Sequence, residues 1–281
     1  MKLIYYQPPN NISNFGDNLN PWLWNKLLPN AFNEDVSTNF LGIGTILHEG
    51  FNVSGKKVVF SSGCGYFNPP VIDKSWHIFC VRGPLTARTL QISREKAVTD
   101  GACLISTIIK SSSNKAYKFS YFPHFEQAVL GGNSWRQICD LLGMQYIDPR
   151  SDTNEVLNAL NNTECLITEA LHGAVVADAL RVPWIRVKSN DQVLEFKWED
   201  WCESLNLKCV AHRIYPMWDL PLTTNMSQRS KHYLKSILLR TSFKSLMLKA
   251  ARNLSSGVLL ESRIKDLKSR LDEFKRHYLK I

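Results

Sequence analysis

Short apolar runs take turns with longer segments in which apolar residues recur every three or four positions, and this alternation continues to about residue 225. The runs 2–6, 57–61, 77–81, 117–122, 144–147, 165–168 and 183–187 predict strands; the segments 18–28, 84–91, 134–142, 153–160, 171–180 and 192–205 predict helices. Apolar strands that alternate with helices belong to parallel sheets covered on both sides, so an α/β body is expected. The polar stretch 110–116 interrupts the alternation near its middle, as a linker between lobes would. The expected organisation is one lobe over 1–112, a second over 113–225, and a basic helical tail over 226–281.

The tail carries its own pattern. Leu260, Ile264, Leu267, Leu271, Phe274, Tyr278 and Ile281 are spaced by alternating steps of four and three, which draws one apolar stripe along a helix. Its other faces hold Lys265, Lys268, Arg270, Lys275 and Arg276. The upstream segment 228–253 has the same character, with Leu234, Ile237, Leu238 and Phe243 among Lys231, Lys235, Arg240, Lys244 and Lys249. Of the formal charge of +9, residues 229–281 supply 14 Lys and Arg against 4 Asp and Glu, which leaves 20 against 21 for the rest. Two readings follow: docking on an anionic membrane surface through residues 229–281, or helices packed on their own protein or on a partner helix. The tail has few aromatics to stack on bases and no recognisable module beside it, so no nucleic acid is expected as a partner.

Composition narrows the class further. With 44% apolar residues, 14 Gly and 12 Pro in 281 residues, collagen-like and wholly disordered chains are excluded. No run approaches the roughly 18 apolar residues of a membrane-spanning helix, and residues 1–11 lack the apolar core of a signal peptide. A cytoplasmic protein is the expectation. Seven scattered cysteines with no Cys-x-x-Cys pair read as reduced thiols, and no cluster of zinc or carboxylate ligands calls for a metal.

In open parallel sheets the ligand binds outside the carboxyl ends of the strands, so strand-to-helix turns are where chemistry belongs. Four stand out: Asn14-Phe15-Gly16-Asp17-Asn18, Ser61-Ser62-Gly63-Cys64-Gly65, Val81-Arg82-Gly83-Pro84, and Thr168-Glu169-Ala170-Leu171-His172-Gly173. None is a dinucleotide fingerprint: Leu41-Gly42-Ile43-Gly44 has only two of the three glycines, and no P-loop occurs. Arg82 ends a strand before Gly83 and the helix-opening Pro84, which aims its guanidinium at the cleft as a fork for a carboxylate or phosphate. Pairing with an acid such as Asp100 is the structural alternative. His172 opens a helix, where its charged form is disfavoured until a bound anion restores the proton; it is either a general acid or a histidine bonded to its own turn. Asp17 is either the cap of the following helix or a carboxylate for sugar hydroxyls, with Asn14 and Asn18 suited to the same task. His124, in Phe122-Pro123-His124-Phe125, faces the cleft from the second lobe as a ligand or a core residue.

The stretches Asn14-Phe15-Gly16-Asp17-Asn18, Gly42-Ile43-Gly44-Thr45, Val81-Arg82-Gly83-Pro84-Leu85-Thr86, Asp100-Gly101-Ala102, Phe122-Pro123-His124 and the run from Glu169 through Trp184 together resemble the polysaccharide pyruvyltransferase family over about residues 12–187. The variant Glu169-Ala170-Leu171-His172-Gly173-Ala174 is similar to the branch that modifies bacterial exopolysaccharides of the succinoglycan type. The resemblance implies two Rossmann-like lobes in a GT-B-like arrangement, phosphoenolpyruvate as donor, no cofactor, and a saccharide acceptor, often polyisoprenoid-linked. Pyruvate would be installed as a ketal across two hydroxyls while phosphate leaves. By resemblance Arg82 holds the donor anion, His172 is the general acid, and Asp17 is the acid near the acceptor. Leu171, Gly173 and His124 join the donor side; Asn14, Gly16, Asn18, Ser62 and Glu169 join the acceptor side.

One departure stands out. Other branches place Arg immediately before the Leu-His pair, where this chain has Ala170, so a second donor-binding cation must come from elsewhere. Arg186, ending the next strand, is the expected replacement, with Arg181 behind it. A lipid-linked acceptor would set the protein on the inner face of the cell membrane. Two rival readings remain: a GT-B glycosyltransferase using a sugar nucleotide, and a non-catalytic saccharide-binding scaffold protein.

Overall fold

The computed structural model describes residues 1–9, 12–50, 53–190, 194–221 and 223–280. Two all-parallel sheets form its frame, as the alternation of apolar strands and helices predicts. In the first, β1 (Lys2–Ile4), β2 (Thr38–Leu41), β3 (Lys56–Phe60) and β4 (Trp76–Cys80) lie side by side in chain order. The second contains β5 (Ser120–Phe122), β6 (Gln145–Tyr146), β7 (Leu166–Thr168), β8 (Trp184–Lys188) and β9 (His212–Arg213) in the order β6-β5-β7-β8-β9. The direction of winding therefore reverses between β5 and β7, and a crevice opens outside their carboxyl ends. Helices α1 (Phe15–Leu27) and α2 (Pro84–Thr89) follow β1 and β4, while α3 (Phe125–Leu141), α4 (Thr153–Asn161), α5 (Leu171–Ala179) and α6 (Glu195–Ser204) follow β5 to β8.

The differences from expectation have local causes. Strand β2 is short, and its polar Asn39 is buried because its side-chain amide donates to the carbonyls of Val36 and Ser54. Helix α3 begins at Phe125 rather than at residue 134: Gly131 departs from helical geometry (φ −148°, ψ 29°), and a Cβ there would stand 2.6 Å from the Met217 carbonyl oxygen. The pair Gly131-Gly132 thus reads as a breaker while serving as a kink. The start of the helix expected over 192–205 lies outside the described residues.

One continuous apolar core joins the two sheets through α1, α5 and a 3-10 turn, Gly101–Thr107. The chain ends in α7 (Met226–Lys249) and α8 (Gly257–Phe274), followed by a π-helical turn, Lys275–Leu279. On α8 the expected stripe is occupied: Leu260, Leu267, Leu271 and Phe274 are buried in that core, with the Phe274 ring edge-on to Phe40 at 5.2 Å and to Phe79 at 5.6 Å. Tyr278 joins it with its hydroxyl 2.9 Å from His77 Nδ1, and Ile281 lies outside the described residues. Each such side chain contributes about 1.5–3 kcal/mol by leaving water. Helix α7 turns Leu239, Phe243 and Leu246 into the second lobe's own cluster, where Phe243 meets Tyr121. The stripe of α8 is therefore a lid on the first lobe. Among the described residues no helix is long and apolar enough to cross a membrane.

Candidate active site

A cavity of about 390 Å³ lies between the carboxyl edges of the two sheets. The first lobe contributes Tyr6 beyond β1, the opening turn of α1 (Asn14 to Asp17), Gly44, Thr45, Ile46 and His48 beyond β2, and Tyr66 and Phe67 beyond β3. From the second lobe come Phe122 and His124 to Glu126 around the start of α3, Ala170 to His172 at the start of α5, and Lys197 from α6. Helices α1, α3 and α5 all begin at this cavity, and none is closed by the side chain of its N-cap residue. In α1 the Phe15 N–H donates to the Pro149 carbonyl and the Asp17 N–H to that of Asn14, but the three helix dipoles together give the cavity a standing preference for an anion.

His172 sits in the first turn of α5 with its side chain mostly buried but 15% exposed toward the cavity. Its Nδ1 lies against Gly16 of the opposite lobe. Nε2 points toward Asp100 Oδ2 at 3.7 Å, too long for a hydrogen bond, and neither atom has a hydrogen-bond partner among the described residues. The other carboxylate oxygen of Asp100 is engaged, accepting from the Ala102 N–H. Burial pushes the imidazole below its ordinary range; Asp100 opposes that shift, and Lys197 and Arg82 add to it. The neutral ring therefore faces an idle acceptor that would receive Nε2–H once a proton arrived.

Asp17 is the third residue of α1 and accepts a 2.6 Å hydrogen bond from the Asn14 side-chain amide. Burial raises its carboxyl from the usual 3.8 to about 7, against the opposing pull of Asn14 and Lys197. Such a group exchanges protons at neutral pH. Lys197, only 8% exposed, donates from Nζ to the Tyr66 hydroxyl at 3.1 Å. It is a lysine in a cavity that otherwise holds two carboxylates, Asp17 and Glu126, the latter 3.5 Å from His124 Nδ1.

No family model matches this sequence. The succinoglycan biosynthesis protein ExoV of Rhizobium meliloti (strain 1021) is 37% identical over 218 residues, which cover 76% of this chain and 68% of that protein. The chain belongs to the polysaccharide pyruvyltransferase family, in its exopolysaccharide branch.

The structure brings together His172, Asp17, Asn14, Gly16, Leu171 and His124 of the residues expected for a pyruvyltransferase of this branch. Others it moves elsewhere. Arg82 does not point into the cleft: it is fully buried, with Nε 3.0 Å from Asp200 Oδ2, Nη1 donating to Thr45 Oγ1 and Nη2 to the Cys64 carbonyl. Its ion-pair partner is Asp200 of α6, not Asp100. Thr45 lines the cavity, so Arg82 stands one layer behind the wall. Arg186 is likewise buried away from the cavity, 2.5 Å from Glu195 and over the Trp198 ring at 4.6 Å; Arg181 bonds to Ser255. Neither replaces the cation missing at Ala170, because β8 directs Arg186 toward α6.

Four further assignments are corrected. Ser62 is buried and donates to the carbonyls of Leu41 and Gly42. Glu169 is buried in the second lobe, accepting from Ser189 N–H at 2.6 Å and the Tyr121 hydroxyl at 3.1 Å. Asn18 donates to Ser13 Oγ outside the cavity lining. Gly173 is there for packing, since a Cβ would stand 2.6 Å from Phe122 Cδ1. The alternative cap role of Asp17 is also set aside, because α1 begins at Phe15 and the N-cap position belongs to Asn14. Sequence reasoning missed Lys197 and the aromatic rim of Tyr6, Tyr66, Phe67 and Phe125. An exposed aromatic beside a glycine turn was the one available signal for Tyr66 and Phe67.

Proposed function

We propose that this chain transfers the pyruvyl group of phosphoenolpyruvate onto two hydroxyls of an exopolysaccharide precursor, forming a cyclic ketal and releasing phosphate. The observation that carries the reading is the convergence of Lys197, His172 and Asp17 on one cavity at three uncapped helix N-termini. Lys197 and the helix N–H groups suit a donor with a carboxylate and a phosphate. Phosphoenolpyruvate next to His172 raises its proton affinity, and Nε2–H then finds Asp100 while Nδ1–H protonates the methylene carbon. C2 becomes an oxocarbenium-like centre. A sugar hydroxyl attacks it and gives its proton to Asp17; the C2–O bond to phosphate breaks, phosphate leaves with the electron pair, and the second hydroxyl closes the ketal, passing its proton to the now neutral His172. The chemistry needs no redox cofactor.

The aromatic rim suits the faces of a sugar, and the two sheets on either side of one cavity support a GT-B-like arrangement. A polyisoprenoid-linked acceptor confines the work to the inner face of the cell membrane, and the positive charge of residues 229–281 is complementary to that surface. Incubation with phosphoenolpyruvate and an acceptor oligosaccharide should release phosphate and add the mass of one pyruvate less water. Release of a nucleotide from a sugar nucleotide, with no such mass gain, would favour a glycosyltransferase; neither product would favour a scaffold.

A further inference from the structure

The two C-terminal helices resemble each other in sequence, yet they end differently. The apolar stripe of α8 is consumed in the core of the first lobe, and all four acidic residues of 229–281 lie on α8 among its basic residues. Helix α7 carries Arg229, Lys231, Lys235, Arg240, Lys244 and Lys249 and no acidic residue. Its buried side is Leu239, Phe243 and Leu246. On the opposite side Met226, Tyr233, Leu234 and Leu248 are 80%, 65%, 58% and 82% exposed. Lys231, Lys235, Lys244 and Lys249 make no ion pair with a described residue, Lys235 resting instead over the Trp218 ring at 4.4 Å.

We propose that the outer face of α7, and not α8, is the surface that docks on an anionic lipid bilayer. Apolar side chains flanked by unpaired cations match the boundary between acyl chains and phosphate headgroups. A second copy of the chain is a poor occupant, because a two-fold contact would set Lys231, Lys244 and Lys249 against their own copies with no acidic residue on α7 to offset them. Nucleic acid is equally poor, since Tyr233 is the sole aromatic exposed on the face. The inference rests on the reading of the chain as a membrane-surface enzyme, but binding can be measured without substrate.

Cosedimentation of the full chain with vesicles of phosphatidylcholine and phosphatidylglycerol, against pure phosphatidylcholine vesicles, tests it. Strong salt-sensitive binding to the anionic vesicles is expected. The variant K231Q/K244Q/K249Q should weaken it on the order of a hundredfold, since each cation near the surface strengthens binding about fivefold. The matched α8 variant K265Q/K268Q/R270Q should stay within a few-fold of the parent. L234Q/L248Q, in which only exposed side chains change, should lower binding that persists at high salt. Equal losses from the two helices, no preference for anionic vesicles, tighter binding to DNA than to vesicles, or a dimer that the α7 variant dissociates would each overturn the proposal. Vesicle binding by a chain that transfers no pyruvate would leave it standing and count against the proposed reaction alone.

Discussion

A Cβ on residue 16 would fall on Nδ1 of His172, well inside contact distance, so glycine at the start of α1 is what lets an imidazole from the other lobe reach the cavity. Gly16→Ala should therefore displace the ring while leaving α1 intact, alanine being the better helix former by about 1 kcal/mol. A misplacement of about 1 Å in a reacting group costs on the order of a hundredfold. Pyruvyl transfer should fall by at least that factor with Tm nearly unchanged; an active Gly16→Ala would remove His172 from the reaction.

Asp100 is the one group that raises the proton affinity of His172, against burial, Lys197 and Arg82. Asp100→Asn keeps an oxygen for the Ala102 N–H but removes the charge. The His172 pKa should drop further, visible as a downfield-to-upfield transition at lower pH in its ring proton resonances. Transfer should weaken by about 10- to 1000-fold, within the range of general acid catalysis. An unchanged titration would mean the 3.7 Å pair is not coupled.

Asp17 gives a stability signature of its own. In the unfolded chain it ionises near pH 4, whereas in the fold it holds its proton to about 7. The stabilisation attached to the protonated form is complete below about pH 4 and is lost as pH rises through about 7. Asp17→Asn removes that loss, so its stability relative to the parent should rise between about pH 4 and pH 7 and level off above, by no more than a few kcal/mol. The same variant should lack the transfer-rate limb near neutral pH. Parallel stability curves would show that the carboxyl is ordinary.

How much of this was legible varies with how local each cause is. The turns that begin α1 and α5 were readable because a glycine, Gly16 or Gly173, stands within the first turn of each helix; the start of α3 was not, because the chain there is Phe122-Pro123-His124-Phe125 and the glycine pair 131–132 reads as a break. Lys197 was not: it sits in the first turn of α6 among Glu195, Phe196 and Trp198 with no glycine beside it, and only the docking of α6 across the lobes turns it into the cavity. Arg82 was placed at the right strand end but faces the wrong way for a ligand, since Asp200, which turns it inward, is 118 residues distant. Ala170 made a compensating cation necessary without saying where it would come from.

Lys197→Met should accordingly raise the KM for phosphoenolpyruvate by about 10- to 100-fold, the scale of one charge-assisted hydrogen bond to an anion, with a smaller change in acceptor KM. Arg186→Met should leave donor KM unaltered while lowering Tm, because its partners are Glu195 and Trp198. The reverse pattern would return the donor to Arg186.

The Arg82 and Asp200 pair separates a strut from a clamp. Asp200 also accepts from the Thr86 N–H and hydroxyl, and both charges are fully buried. Asp200→Ala strands the guanidinium and should cost about 3–5 kcal/mol. Removing both charges, in Arg82→Met with Asp200→Asn, should be milder than the sum of the single changes, since no uncompensated ion remains. A strut predicts that the double variant, once folded, keeps donor KM within a few-fold and loses turnover through Thr45 and α6. A clamp predicts that donor KM collapses in every variant lacking Arg82, whatever stands at 200, and steady-state kinetics with phosphoenolpyruvate on the folded double variant decides between them.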